Sequence, residues 1–205
     1  MLIDDSITEY LDKAAAGTAV PGGGSVAALN AALAAGLTEM VANLTIGKKG
    51  YEAVEEEMQA LVSKAADLRN KLTAAIDKDA DAYTEVMAAY RLPKSTDEEV
   101  ALRKQKIQDA IKHAALVPLA VARDALAVIE LAGTAIHKGN KNAASDGAVA
   151  AMNARTAALA AIYNVKINLS SIDDGSFVEK LGQEVQELQK IVVEKEGEAL
   201  ANLSV

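Results

Sequence analysis

Between Tyr51 and Ala89, apolar residues recur at steps of three and four: Tyr51, Val54, Met58, Leu61, Ala65, Leu68, Leu72, Ala75, Ala82, Val86 and Ala89. A chain keeps such a pattern over about five heptads only as one long helix laid against helical neighbours. One position of this seam, Asp79, carries a carboxylate where every other member is uncharged. Burying it unpaired is costly, and apolar surroundings raise its pKa. A carboxyl poised in this way can exchange protons near neutral pH, whereas Asp77 and Asp81 read as solvated flankers. The bland alternative for Asp79 is a structural ion pair between helices.

The rest of the chain is also helical in period, with almost no strand alternation. A short helix is expected from about Asp5 to Ala16, and a very apolar one from about Ser25 to Ile46. The second approaches the length of a membrane span, but Asn30, Thr38, Glu39 and Asn43 interrupt it, so it reads as a buried core helix. Thr96 and Glu99 form the signature of a capping box, opening a helix that stops or kinks at Pro118. A small-residue helix is expected from about Ser145 to Tyr163, a loop from Asn168 to Gly175, and a last helix from Ser176 to about Leu203. The expectation is an all-α, single-domain bundle of about six to eight helices over residues 1–205. Hydrophobic residues make up 51% of the chain and aromatic ones only 3%, with Ala abundant, so helices must approach closely. The long seams and small-residue faces exceed what one bundle needs, which points to a homodimer.

Composition closes several routes. The absence of Cys removes thiolate nucleophiles, thiolate metal sites and disulfides. No paired His or carboxylate spacing suggests a metal, and His113 and His137 read as structural. A net charge of −8 argues against nucleic acid as the main partner. The start Met1-Leu2-Ile3-Asp4-Asp5 lacks the features of a signal peptide, so no membrane association and a cytoplasmic location are the default expectations.

Three further segments carry polar chemistry. Pro21-Gly22-Gly23-Gly24-Ser25 lets the backbone approach a ligand and aims the free N–H groups of the next helix at it, which suits an anion or a carbonyl oxygen. Its simpler reading is a turn capped by Ser25. Lys48 and Lys49 sit where cations complement a helix C-terminus, or could clamp an anion. Lys138 and Lys141 bracket Gly139-Asn140, and Asn140, Asn142, Ser145 and Asp146 gather at a turn-to-helix junction, where Ser145 or Asp146 could cap.

These pieces in this order resemble the formiminotransferase-cyclodeaminase family, specifically its cyclodeaminase domain and free-standing bacterial relatives. The matching segments are PGGGS at 21–25, DADAY at 79–83 with RLPK at 91–94, GNKNAASD at 139–146 and NVKINL at 164–169. The resemblance implies an all-helical dimer with no cofactor beyond a tetrahydrofolate substrate. It implies one of two activities: hydrolysis of 5,10-methenyltetrahydrofolate to 10-formyltetrahydrofolate, or cyclisation of 5-formiminotetrahydrofolate with release of ammonia. The chain has no room for a formiminotransferase domain, which favours the free-standing cyclohydrolase. On this reading Asp79 and Lys48 are catalytic, with Lys48 as the charge partner. Gly22, Gly23, Gly24, Ser25, Lys138, Asn140, Asn142, Ser145 and Asp146 bind the substrate in one shared pocket, and Asn140 bonds the pterin or the one-carbon unit. A non-catalytic folate carrier would keep the loops without needing Asp79, and a helical interaction protein would need none of them.

Overall fold

In the computed structural model, described for residues 1–201 and 203, six α-helices carry the chain. They are α1 (Ile7–Ala15), α2 (Gly23–Asn43), α3 (Glu55–Tyr90), α4 (Asp97–Lys138), α5 (Ala144–Leu169) and α6 (Gly175–Leu200). Short 3₁₀ turns cover Leu2–Asp4, Glu52–Val54 and Lys141–Ala143. Among the described residues there is no strand.

Helix starts follow the capping chemistry. Ser6 and Glu9 cap α1 reciprocally: Ser6 Oγ accepts from Glu9 N at 3.3 Å, and Glu9 Oε2 accepts from Ser6 N at 2.8 Å. Thr96 and Glu99 do the same for α4. Asp174 caps α6 by accepting from Phe177 N and is paired with Lys112, which holds its carboxyl far below the usual range.

Helix α2 is the hub. By length and composition it could cross a membrane, but it packs here on α3, α4 and α5. Ala27, Ala28, Ala31, Ala34, Ala35 and Ala42 are fully buried, and α5 answers with Ala150, Ala151, Ala154, Ala157, Ala158 and Ala161. With methyl groups on both sides, the backbones come close enough for small residues to fill the core. Seam residues Met58, Leu61, Ala65, Leu72, Ala75, Ala82 and Ala89 are buried as the periodicity requires.

Several boundaries differ from those expected. Helix α2 begins at Gly23, so Ser25 lies within its first turn and is not the cap. Helix α4 neither stops nor restarts at Pro118 but runs through it for 42 residues. Proline has no N–H, so the α4 carbonyl of Ala114, four residues earlier, loses its helical donor. Asn168 Nδ2 of α5 donates to that carbonyl at 3.0 Å. Helix α5 extends to Leu169, taking Asn168 and Leu169 from the segment expected as a loop. Its cap, Ala143, has no side-chain bond, so neither Ser145 nor Asp146 caps it; both lie in its first turn.

Candidate functional site

The Gly-rich turn, the last third of α3, and the last turns of α5 meet around a cleft of about 320 Å³. Gly22, Gly23 and Gly24 form one wall; Asp79, Tyr83, Val86 and Tyr90, at four-three-four spacing on α3, form the second. Ala114, Asn164, Ile167 and Asn168 complete it.

Asp79 is half-buried, and it caps α2 from outside that helix. Its Oδ2 accepts from Ser25 N at 2.8 Å and lies 3.1 Å from Ser25 Oγ. The N–H of Ser25 is one of the four that a helix start leaves unpaired. Ser25 itself is completely buried, and its single hydroxyl proton is shared between Asp79 Oδ2 and the Ile76 carbonyl, 2.9 Å away. Ser25 therefore supports the carboxyl from behind and does not line the cleft. Asp79 Oδ1 has no partner among the described residues and lies against Gly24, where any Cβ would overlap it. This is the position where a turn of glycines is required. Burial raises the Asp79 pKa, while the Ser25 hydroxyl and N–H pull it back down. Tyr10 of α1, itself 7% exposed with an unpartnered hydroxyl, lies behind the site; burial and then the charges of Asp79 and Asp77 raise its pKa.

The cleft contains no Lys, Arg or His among the described residues. It offers acceptors (Asp79 Oδ1 and the amide oxygens of Asn164 and Asn168), two tyrosine rings and the helix-start N–H groups of Gly23 and Gly24. The acceptors and the rings suit a cationic, N–H-bearing head group, and the N–H groups suit an oxygen beside it.

The second expected cluster lies elsewhere. Helix α2 has 21 residues, so its two ends are about 30 Å apart. Lys48 sits past the far end in a shallow depression with Gly47, Lys49, Glu52 and Glu55. Within one chain Lys48 is therefore not the charge partner of Asp79, and the two clusters do not form one pocket. The physical reason is the uninterrupted α2 between them. Lys138 Nζ binds Glu57 at 2.7 Å. Asn140, 7% exposed, is committed to the fold: its Nδ2 donates to Leu44 O, its Oδ1 accepts from Asn142 N, and its own N–H donates to Thr45 Oγ1. Ser145 is exposed and Asp146 half-buried at that same end.

Tyr83, Tyr90, Asn164 and Asn168 are not among the site residues expected from sequence. Asn164 and Asn168 carry a usable signal, two amides at i, i+4 in an apolar stretch, which the loop expected from Asn168 onward conceals.

Comparison with known proteins identifies the family. The sequence model of a family described as formiminotransferase-cyclodeaminase matches residues 6–187. A methenyltetrahydrofolate cyclohydrolase of Methylorubrum extorquens is 43% identical over 90% of this chain and 89% of its own length. A formimidoyltransferase-cyclodeaminase of Mus musculus is 34% identical over 91% of this chain, which spans only 35% of that protein. The crystal structure of a formiminotetrahydrofolate cyclodeaminase from Thermotoga maritima superposes with a TM-score of 0.88 at 34% identity, covering 99% of this chain and 98% of that one.

Proposed function

The chain belongs to the formiminotransferase-cyclodeaminase family, and from that premise we propose that it hydrolyses 5,10-methenyltetrahydrofolate to 10-formyltetrahydrofolate with no further cofactor. Support comes from the 43% identity to a cyclohydrolase of similar length. The observation that carries the site is Asp79, a half-buried carboxyl with one oxygen held by Ser25 and the other free at a cleft without cations. The methenyl carbon is part of an amidinium cation, which such a cleft favours over neutral or anionic groups.

Water adds to the carbon between N5 and N10, forming a C–O bond as the C=N π pair withdraws onto nitrogen, and one proton of the water passes to Asp79 Oδ1. The C–N5 bond then breaks with its electron pair going to N5, and Asp79 returns its proton there. The hydroxyl proton leaves to solvent as the formyl C=O forms on N10. A carboxyl of raised pKa serves first as base and then as acid. The N–H groups of Gly23 and Gly24, at the start of α2 on the cleft wall, would stabilise charge on the developing oxygen.

Asp79→Asn keeps the shape and an acceptor for Ser25 but cannot take a proton. It is expected to fold, bind tetrahydrofolate and lose turnover by about 10² or more, read as loss of methenyl absorbance. Turnover within a fewfold of the parent would reduce Asp79 to a helix cap. Formiminotetrahydrofolate cyclodeaminase activity is the second reading, supported by the likeness to the Thermotoga maritima structure, and release of ammonia from 5-formiminotetrahydrofolate identifies it.

We also propose a homodimer. Val26, Leu33, Met40 and Leu44 form an exposed apolar stripe on α2, and Val149, Met152, Tyr163 and Ile167 form one on the adjacent α5. A two-fold axis across the middle of α2 would set two copies antiparallel, bringing the Lys48 end of one toward the Gly24 end of the other. Mixing inactive Asp79→Asn with Lys48→Ala then restores about a quarter of the parent activity, since half of random dimers hold one intact site of two. No recovery on mixing, or a stable monomer in sedimentation, removes the shared site.

A further inference from the structure

We propose that Asn168 binds the substrate, reading an N–H donor edge of its pterin head through Oδ1, and that Pro118 of α4 sets its orientation; this rests on the folate reading above. Pro118 is buried inside α4 and supplies no N–H, so the Ala114 carbonyl has no helical donor. Ala114 is itself buried, and a carbonyl left unpaired there is costly. Asn168 Nδ2 donates to it at 3.0 Å and donates its second proton to Asn164 O at 2.9 Å. Both partners of that nitrogen are carbonyl oxygens. Turning the amide over would set oxygen against two oxygens, so the amide has one orientation.

The consequence is at the cleft. With both N–H bonds directed into the α4–α5 junction, Asn168 Oδ1 has no protein partner among the described residues, and Asn168 lines the cleft one turn beyond Asn164. Asn164 shares part of the arrangement: one proton of its Nδ2 goes to Ala160 O at 2.9 Å, and its amide lies against Gly23 with its oxygen unpaired among the described residues. Two amides thus present acceptors on the wall facing the Gly turn. Acceptors of fixed direction read donors, and a pterin carries ring and exocyclic N–H groups along one edge. A side chain held by backbone carbonyls of two helices is ordered before ligand arrives, so binding loses little side-chain freedom.

The test separates pairing from recognition. In Asn168→Ala the Ala114 carbonyl is orphaned, and Tm should fall by about 5 °C. Adding Pro118→Ala returns a helical N–H to that carbonyl and should recover most of the Tm. Recognition should not recover. Both Asn168→Ala and the double variant should bind tetrahydrofolate, followed by calorimetry, about tenfold more weakly than the parent. Their KM should rise with kcat nearly unchanged, because Asn168 holds the head and not the reacting carbon. Unchanged affinity in the folded double variant overturns the binding role. An Asn168→Ala Tm that Pro118→Ala leaves uncorrected overturns the orienting role of the proline. A parent that neither binds nor turns over the folate overturns the functional reading together with this one. A parent that binds, paired with an Asp79→Asn variant that still turns over, overturns only the proton role of Asp79.

Discussion

The two ends of α2 are built from the same kinds of residue and differ in what those residues still have to offer. At the N-terminal end, Gly24 makes room for a carboxyl whose second oxygen is free, and the amides of Asn164 and Asn168 keep their oxygens unpaired. At the C-terminal end, Gly139 closes α4 against Ala135 O, Asn140 has its amide satisfied on both sides, and Lys138 holds Glu57. Both ends read in sequence as glycine beside polar residues. Unused hydrogen-bonding capacity facing a cleft distinguishes the Asp79 site from the saturated Lys138–Asn140 joint; of that far end, it is Lys48 that the proposed dimer brings to a second copy's cleft.

Substitutions at the two ends should therefore fail in different ways. The largest effect is expected for Gly24→Ala, whose methyl would overlap Asp79 Oδ1 and force the carboxyl aside. Displacing a reacting group by about an ångström costs about 10² in rate, so turnover should fall nearly as far as in Asp79→Asn while the protein stays folded. Rates near the parent would show that the carboxyl need not stand where it does. Asn140→Ala at the opposite end should instead cost about 1–3 kcal/mol of stability through the lost bonds to Leu44 O and Asn142 N. Denaturant titration measures that loss, and the KM of the folded fraction should match the parent. A raised KM with intact stability would reverse the assignment of the two ends.

The smallest effect concerns pH. Burial holds the Asp79 pKa above its unfolded value, so the folded state binds this proton more tightly than the unfolded state. Its ionisation therefore costs stability above the raised pKa and costs nothing below the ordinary Asp range. Asp79→Asn should be slightly more stable than the parent at neutral pH, and the difference should close as pH falls through that window. A parent that is the more stable of the two at neutral pH would mean that the charged carboxylate contributes more as a cap of α2 than it loses by burial.

Periodicity and capping determined most of the fold from the sequence alone. The seam from Met58 to Ala89, the Thr96–Glu99 box and the small faces of α2 and α5 are local patterns, and each states which side of a helix is apolar. Asp79 stood out for the same reason, as a charge at an apolar position. What lay beyond sequence was saturation. The helix expected from Ser25 to Ile46 already sets Lys48 a helix length away from Gly24, but nothing local says that Asn140 would find three partners. The continuation of α4 through Pro118 depends on a donor from α5, a pairing between residues far apart in the chain. Only the tertiary structure decided which polar groups were satisfied, because a hydrogen bond is closed by whichever partner packing brings within about 3 Å.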